Sequence, residues 1–117
     1  MFAEVKAMLP VSGDDYDQEI ITQIKAAKLD LTTSTEIVLP GMIAISRTQD
    51  PVTEKWTVTD NSTLKDELVI TVIGIWCNMR IGNPPNIEAL ERAYKSLKGQ
   101  MRMSRKYTRY GGGAGCE

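Results

Sequence analysis

The stretch LKDELVITVIGIWCNMRI, residues 64–81, decides the fold. Leu64, Leu68, Val72, Ile75, Trp76 and Met79 recur at helical steps, and Val69, Ile70 and Ile73 widen that stripe almost to a full circle. A helix that is apolar nearly all round is a buried, central one. The β-branched run at 69–73 would also suit a buried strand. The strand is rejected because the apolar run is long and follows helix formers at 64–67. Asp60-Asn61-Ser62-Thr63 supplies an N-cap, with Thr63 and Asp66 at capping-box spacing. This helix puts Trp76 and Cys77 in the core, and Gly74 predicts close approach of another helix. The apolar positions, 68–79, fall short of the ~20 residues that a membrane-spanning helix needs.

Three more helices flank it. Residues 2–9 place Phe2, Val5, Met8 and Leu9 on one face and stop before Pro10. Residues 15–33 carry Tyr16, Ile20, Ile24, Ala27 and Leu31 at steps of three and four. Asp14 or Asp15 is placed to cap that helix, Asp15, Asp17 and Glu19 complement its dipole, and the hydroxyl run at 32–35 weakens its end. Residues 87–103 repeat Ile87, Leu90, Tyr94, Leu97 and Met101 behind a cap at Asn86. Gly82-Asn83-Pro84-Pro85 separates this last helix from the central one.

Between helices 2 and 3 the texture changes. Residues 42–48 and 55–59 are rich in β-formers, and Asp50-Pro51 between them is a turn signal, so 42–59 reads as a β-hairpin. A lone hairpin is marginal in water and should pack on the helices or on a neighbouring subunit. The predicted fold is therefore mainly α. A small four-helix domain, 1–103, has a hairpin inserted between helices 2 and 3, and a flexible, basic, Gly-rich tail, 104–117, follows.

At 117 residues the chain has the length of one domain, able to bury about 65% of its unfolded surface. With 42% hydrophobic and 25% charged residues its composition is globular, which argues against wholesale disorder. Cys77 and Cys116 are too few for a disulfide framework and fit a reducing, intracellular setting. No signal-peptide pattern opens the chain. There is no histidine, so the commonest general base, nucleophile partner and zinc ligand are all missing. No C-x-x-C pair, phosphate loop or calcium loop is present, and Asp14, Asp15 and Asp17 read as cap and dipole residues. No catalytic residue, metal site, cofactor site or membrane contact is expected.

Charge patterning is more informative. Residues 1–67 hold twelve acidic and six basic side chains, whereas 92–110 hold seven basic and no acidic ones. The net charge of −1 thus hides two opposite poles. Arg102, Arg105, Lys106 and Arg109, with Tyr107 and Tyr110 among them, could contact nucleic acid. The poles could equally drive head-to-tail association of subunits, or be a solvated helix end with a basic tail. On the hairpin, Arg47 and Trp56 are candidate interface residues, Trp56 either anchoring an intersubunit contact or packing on its own helices.

A short opening helix, then Glu4-Val5-Lys6, Asp14-Asp15, Asp17, Ile20-Ile21, Ile24 and Ala27, then an apolar helix reaching Trp76 and Arg80 before Pro84, form a pattern. It resembles the head–tail connector (adaptor, or head-completion) proteins of long-tailed bacteriophages and prophages. The resemblance spans roughly residues 2–35 and 62–103; the hairpin and the glycine-rich tail are not part of it. It implies a structural virion protein, made in the host cytoplasm, that forms a homo-oligomeric ring of about a dozen copies beneath a portal protein. Such a ring extends the DNA channel, touches channel DNA non-specifically and presents a surface to further head-completion or tail proteins. The C-terminal segment would order on the portal. The rival reading is a small helical nucleic-acid-binding protein using the basic C-terminal segment.

Overall fold

The computed structural model describes residues 1–81 and 84–109. In chain order these form α1 (Phe2–Ala7), α2 (Asp17–Thr35), β1 (Ile37–Val38), β2 (Ile45–Gln49), β3 (Trp56–Asp60), α3 (Glu67–Ile81), α4 (Ile87–Met103) and β4 (Thr108–Arg109). The architecture is the expected one, mainly helical with a hairpin between the second and third helices. Gly82, Asn83 and Tyr110 to Glu117, including Cys116 and the glycine run, lie outside the described residues.

α3 is the central element and packs against α1, α2 and α4. Val69, Val72, Ile73 and Cys77 are fully buried on it. A β-branched residue costs a helix roughly half a kcal/mol relative to alanine, whereas burying a Val or Ile side chain returns about 1.5–3. Burial wins, and the run at 69–73 is helical. Its most buried face is shifted from the expected stripe, because Leu68, Ile75, Trp76 and Met79 are only half-buried. Trp76 is therefore at the rim of the core. Its indole N–H donates to Gln23 Oε1 at 3.0 Å, its ring tilts against Tyr94 at 5.4 Å, and the Arg80 guanidinium covers it at 4.1 Å.

The cap of α3 also differs from expectation. The helix begins later, and Asp66 caps it, its Oδ1 accepting the Val69 N–H at 3.1 Å. Thr63 instead pairs with Met42, which donates to the threonine hydroxyl at 2.8 Å and accepts the Thr63 N–H at 2.9 Å. Gly74 is needed for a close approach, as predicted: a Cβ there would lie 2.1 Å from Met8 Sδ, so the end of α1 seats its methionine where a side chain is missing.

α2 is a 19-residue helix whose buried face is Ile20, Ile21, Ile24, Ala27 and Leu31. Neither Asp14 nor Asp15 caps it. Tyr16 occupies that position with no side-chain bond, while the Asp14 carbonyl accepts the Asp17 N–H. Asp17 is buried, and Lys6 of α1 reaches it at 2.7 Å, so this carboxylate ties two helices together. The hydroxyl run at its far end stays helical to Thr35, the side chains of Thr32, Thr33, Ser34 and Thr35 each donating back to carbonyls one turn earlier. Glu36 ends the helix in the left-handed region (φ 61°).

The chain does not leave the domain after α4. Residues 104–107 turn back, Tyr107 is 5% exposed in the core, and β4 pairs antiparallel with β1 through Ile37–Arg109 and Val38–Thr108. The boundary expected at 103 therefore falls too early by at least six residues. Two-residue strands carry no pattern that a sequence reading can find, so this small sheet went unpredicted.

Candidate interaction surfaces

The hairpin is rooted firmly and ends freely. At its root the Asp60 carboxylate accepts the Phe2 N–H at 2.7 Å and meets the Met1 ammonium at 3.1 Å. Burial opposes the charge on Asp60, but hydrogen bonds from Ser62 and Phe2 outweigh it and hold this carboxyl well below the usual range. Ser62 and Thr63 hydroxyls accept the Ala44 and Met42 N–H groups. Gly41 sits at φ 148°, and a Cβ there would meet the Leu64 backbone at 2.5 Å. At the tip, Asp50 Oδ1 accepts the N–H groups of Val52 and Thr53 at 2.7 and 3.1 Å, closing the turn that Asp50-Pro51 signals.

Between root and tip almost everything is exposed. Strand alternation puts Ser46, Thr48, Thr57 and Thr59 on one face, and Ile45, Arg47, Gln49, Trp56 and Val58 on the other. Ile45 is buried and Val58 leans on the core, but Trp56 is 49% exposed. The Arg47 guanidinium stacks 4.3 Å from the Trp56 ring centroid. Of the two expectations for Trp56, packing on its own helices is not what is seen. Arg47 Nε is buried without an acceptor, and Asn78 Oδ1 on α3 is buried without a donor.

A second surface lies where α4 crosses the end of α2. Ser34, Thr35, Lys95, Lys98, Gly99 and Arg102 line one shallow hollow. Lys98 reaches Asp30 at 3.0 Å and covers the Tyr94 ring at 4.8 Å, while the Tyr94 hydroxyl donates to the same carboxylate at 2.5 Å. Burial opposes the charge on Asp30, and the bonds from Tyr94 and Lys98 overcome it, so its carboxyl titrates low. The exposed acids Asp14, Asp15 and Glu19 sit at the other end of α2. A helix of 19 residues is about 28 Å long, so the two charge poles are separated by the length of that helix.

The remaining expected contact residues are not equivalent. Tyr107 is buried and donates its hydroxyl to Asp66 at 3.0 Å, and Lys106 meets the other oxygen of that carboxylate at 2.6 Å. Burial opposes the charge on Asp66, and Lys106, the Val69 N–H and Tyr107 together prevail, so it too titrates low. Burial, then the bond to Asp66, pushes the Tyr107 phenol up to about 12. Tyr107 is thus unavailable for stacking, whereas Lys106 stays exposed while its ammonium pairs with Asp66. Arg102 and Arg105 remain on the surface, Arg109 contributes its backbone to β4, and Tyr110 lies outside the described residues. Asp66 and Asp30 were missed as site residues. The signal was the reach of long-range partners across helices, which no local spacing encodes.

Burial pushes the Cys77 thiol up to about 12, the property of an inert core residue. Among the described residues no three metal-ligating side chains gather, and no helix is long and apolar enough to cross a membrane. No curated protein and no solved structure gives a significant match to the chain. A family model described as phage connector protein matches residues 1–108, which takes in all four helices and the hairpin that the earlier resemblance left out. A helical body with polar poles and a projecting hairpin suits a component that joins others in the virion, and the chain belongs to the phage connector protein family.

Proposed function

We propose that this connector forms a homo-oligomeric ring at the head–tail junction, about a dozen copies beneath the portal protein. The ring extends the DNA channel, carries further head-completion or tail proteins, and has no catalytic role; its subunits assemble in the host cytoplasm. Family membership supplies the structural, virion-borne role. The observation that carries the ring is the separation of the poles: acids at one end of α2, Lys95, Lys98 and Arg102 at the other. Unlike surfaces on opposite ends of one subunit favour heterologous contacts, which form a ring when the rotation between copies closes.

Mixing the full chain with an assembled portal and sedimenting the mixture tests this reading. Co-sedimentation that weakens with salt is expected, since exposed charges are screened. A chain that stays monomeric by itself is compatible with assembly on a template; one that never associates with the portal is not.

Contact with channel DNA is the finer part of the proposal. It rests on the exposed cations Lys95, Arg102 and Arg105, not on aromatic stacking, because Tyr107 is buried. Those phosphate contacts predict weak, sequence-independent binding with a steep salt dependence. Flat binding curves for DNA fragments at low salt would remove DNA from the account and leave the ring intact.

A further inference from the structure

The hairpin has edges as well as faces. The Asn61 N–H donates to the Ala44 carbonyl and the Asp50 N–H to the Lys55 carbonyl, at 2.8 and 2.9 Å. With the register Ile45–Asp60 to Gln49–Trp56, alternation makes 46:59 and 48:57 the hydrogen-bonded pairs. The N–H and C=O groups of Arg47 and Gln49 therefore turn outward along β2, and those of Trp56 and Val58 turn outward along β3. Among the described residues none of these outward groups has a backbone partner.

Proteins normally blunt such edges with lysine, proline or a bulge. Neither Ile45–Gln49 nor Trp56–Asp60 contains lysine or proline, and the register runs through without a bulge. Of the two charged residues on these strands, Arg47 folds over Trp56, and Asp60 is held at the root by the Phe2 N–H and the Met1 ammonium. These are short strands of β-forming residues, seated on the body through Ile45 and Val58 and with both backbone edges unpaired among the described residues.

We infer that the hairpin edges are the joints between copies of this chain, β3 of one subunit adding to β2 of the next. This rests on the ring reading above. Rotation about a ring axis brings each β3 against the neighbour's β2. Because the strands of one hairpin run in opposite directions, that junction is antiparallel, and the hairpins continue into one closed sheet. The two edges are unlike: Arg47 and Gln49 face outward along β2, Trp56 and Val58 along β3, and Arg47 already stacks on the Trp56 of its own hairpin. Head-to-tail pairing repeats that one unlike contact around a ring. Pairing β2 with β2 would set one Arg47 against another, so the symmetric alternative is disfavoured.

Hydrogen exchange on the full chain, free and assembled on a portal, tests the joint at residue resolution. The amides of Arg47, Gln49, Trp56 and Val58 exchange freely in the monomer and should slow by roughly tenfold or more in the ring. Val58→Pro removes one outward N–H while sparing the hairpin's own ladder, and Val58→Lys keeps the N–H but charges the edge. Both should retain the helical circular dichroism spectrum and fail to form rings. A wild-type ring whose hairpin amides are unprotected, or variants that both ring normally, overturns the joint and leaves the ring standing. Protection that appears on a single portal-bound copy assigns the edge to the portal and also overturns it. If the wild-type chain forms no ring, the ring reading itself falls, and the joint with it.

Discussion

Trp56 and Tyr107 are both aromatic residues beside a basic side chain, and they end in opposite situations. Trp56, under Arg47, stands half in solvent on the hairpin, whereas Tyr107, beside Lys106, is sealed into the core. The difference is the carboxylate. Asp66, with its side chain 5% exposed, gives Tyr107 and Lys106 a common acceptor at the start of α3. Within the hairpin Arg47 finds an aromatic face and, at Nε, no acceptor at all. A basic, aromatic segment thus becomes part of the domain when the body supplies a buried acceptor, and remains a projecting surface when it does not.

The largest expected effect comes from removing that acceptor. Asp66→Ala deletes a helix cap and leaves Lys106 and Tyr107 without their partner, at a cost of about 2–4 kcal/mol in chemical denaturation. It should also release 104–109, seen as faster amide exchange at Thr108. Gly41→Ala attacks the root of the hairpin. Its φ of 148° and the Leu64 backbone 2.5 Å from the new Cβ should cost about 2–3 kcal/mol. Tyr107→Phe removes one hydrogen bond and keeps the burial, so about 1 kcal/mol is expected. Trp56→Ala should leave stability within about 0.5 kcal/mol, as for a surface position. A loss as large as that of a core aromatic would show that the hairpin is packed in solution, and would erase the contrast.

Acid sharpens the same comparison. The carboxyls of Asp66, Asp60 and Asp30 titrate lower in the folded chain than in the unfolded one. Their stabilisation is complete above the unfolded value, about pH 4, and is lost as pH falls through their depressed folded values. A denaturation series should therefore be flat from neutrality to about pH 5 and fall below about pH 4, with Asp66→Ala falling less steeply.

The helical body was legible because its signals are periodic. Burial repeated along α2, α3 and α4 at steps that one sequence displays, and Asp50-Pro51 marked the hairpin turn. What was not legible depended on partners distant in sequence. Asp66 caps α3 where Thr63 was expected, since Thr63 is drawn to Met42 across the hairpin root. Trp76 reads as core by its stripe, yet sits at the rim because its N–H and its face both find polar partners there. The fold-back after Met103 hid behind a basic composition, which says nothing of one buried tyrosine. Of the expected contact residues, Arg47 with Trp56 and Arg102 with Arg105 keep a surface position, Lys106 is exposed while paired to Asp66, and Tyr107 is buried.

The central claim is that copies of this connector close into a ring on the portal. Native mass spectrometry of the full chain mixed with an assembled portal measures that directly. The account predicts one dominant complex carrying about a dozen copies per portal, with few partially loaded species. A ladder of independently bound single copies, or an unloaded portal at saturating chain, would contradict it.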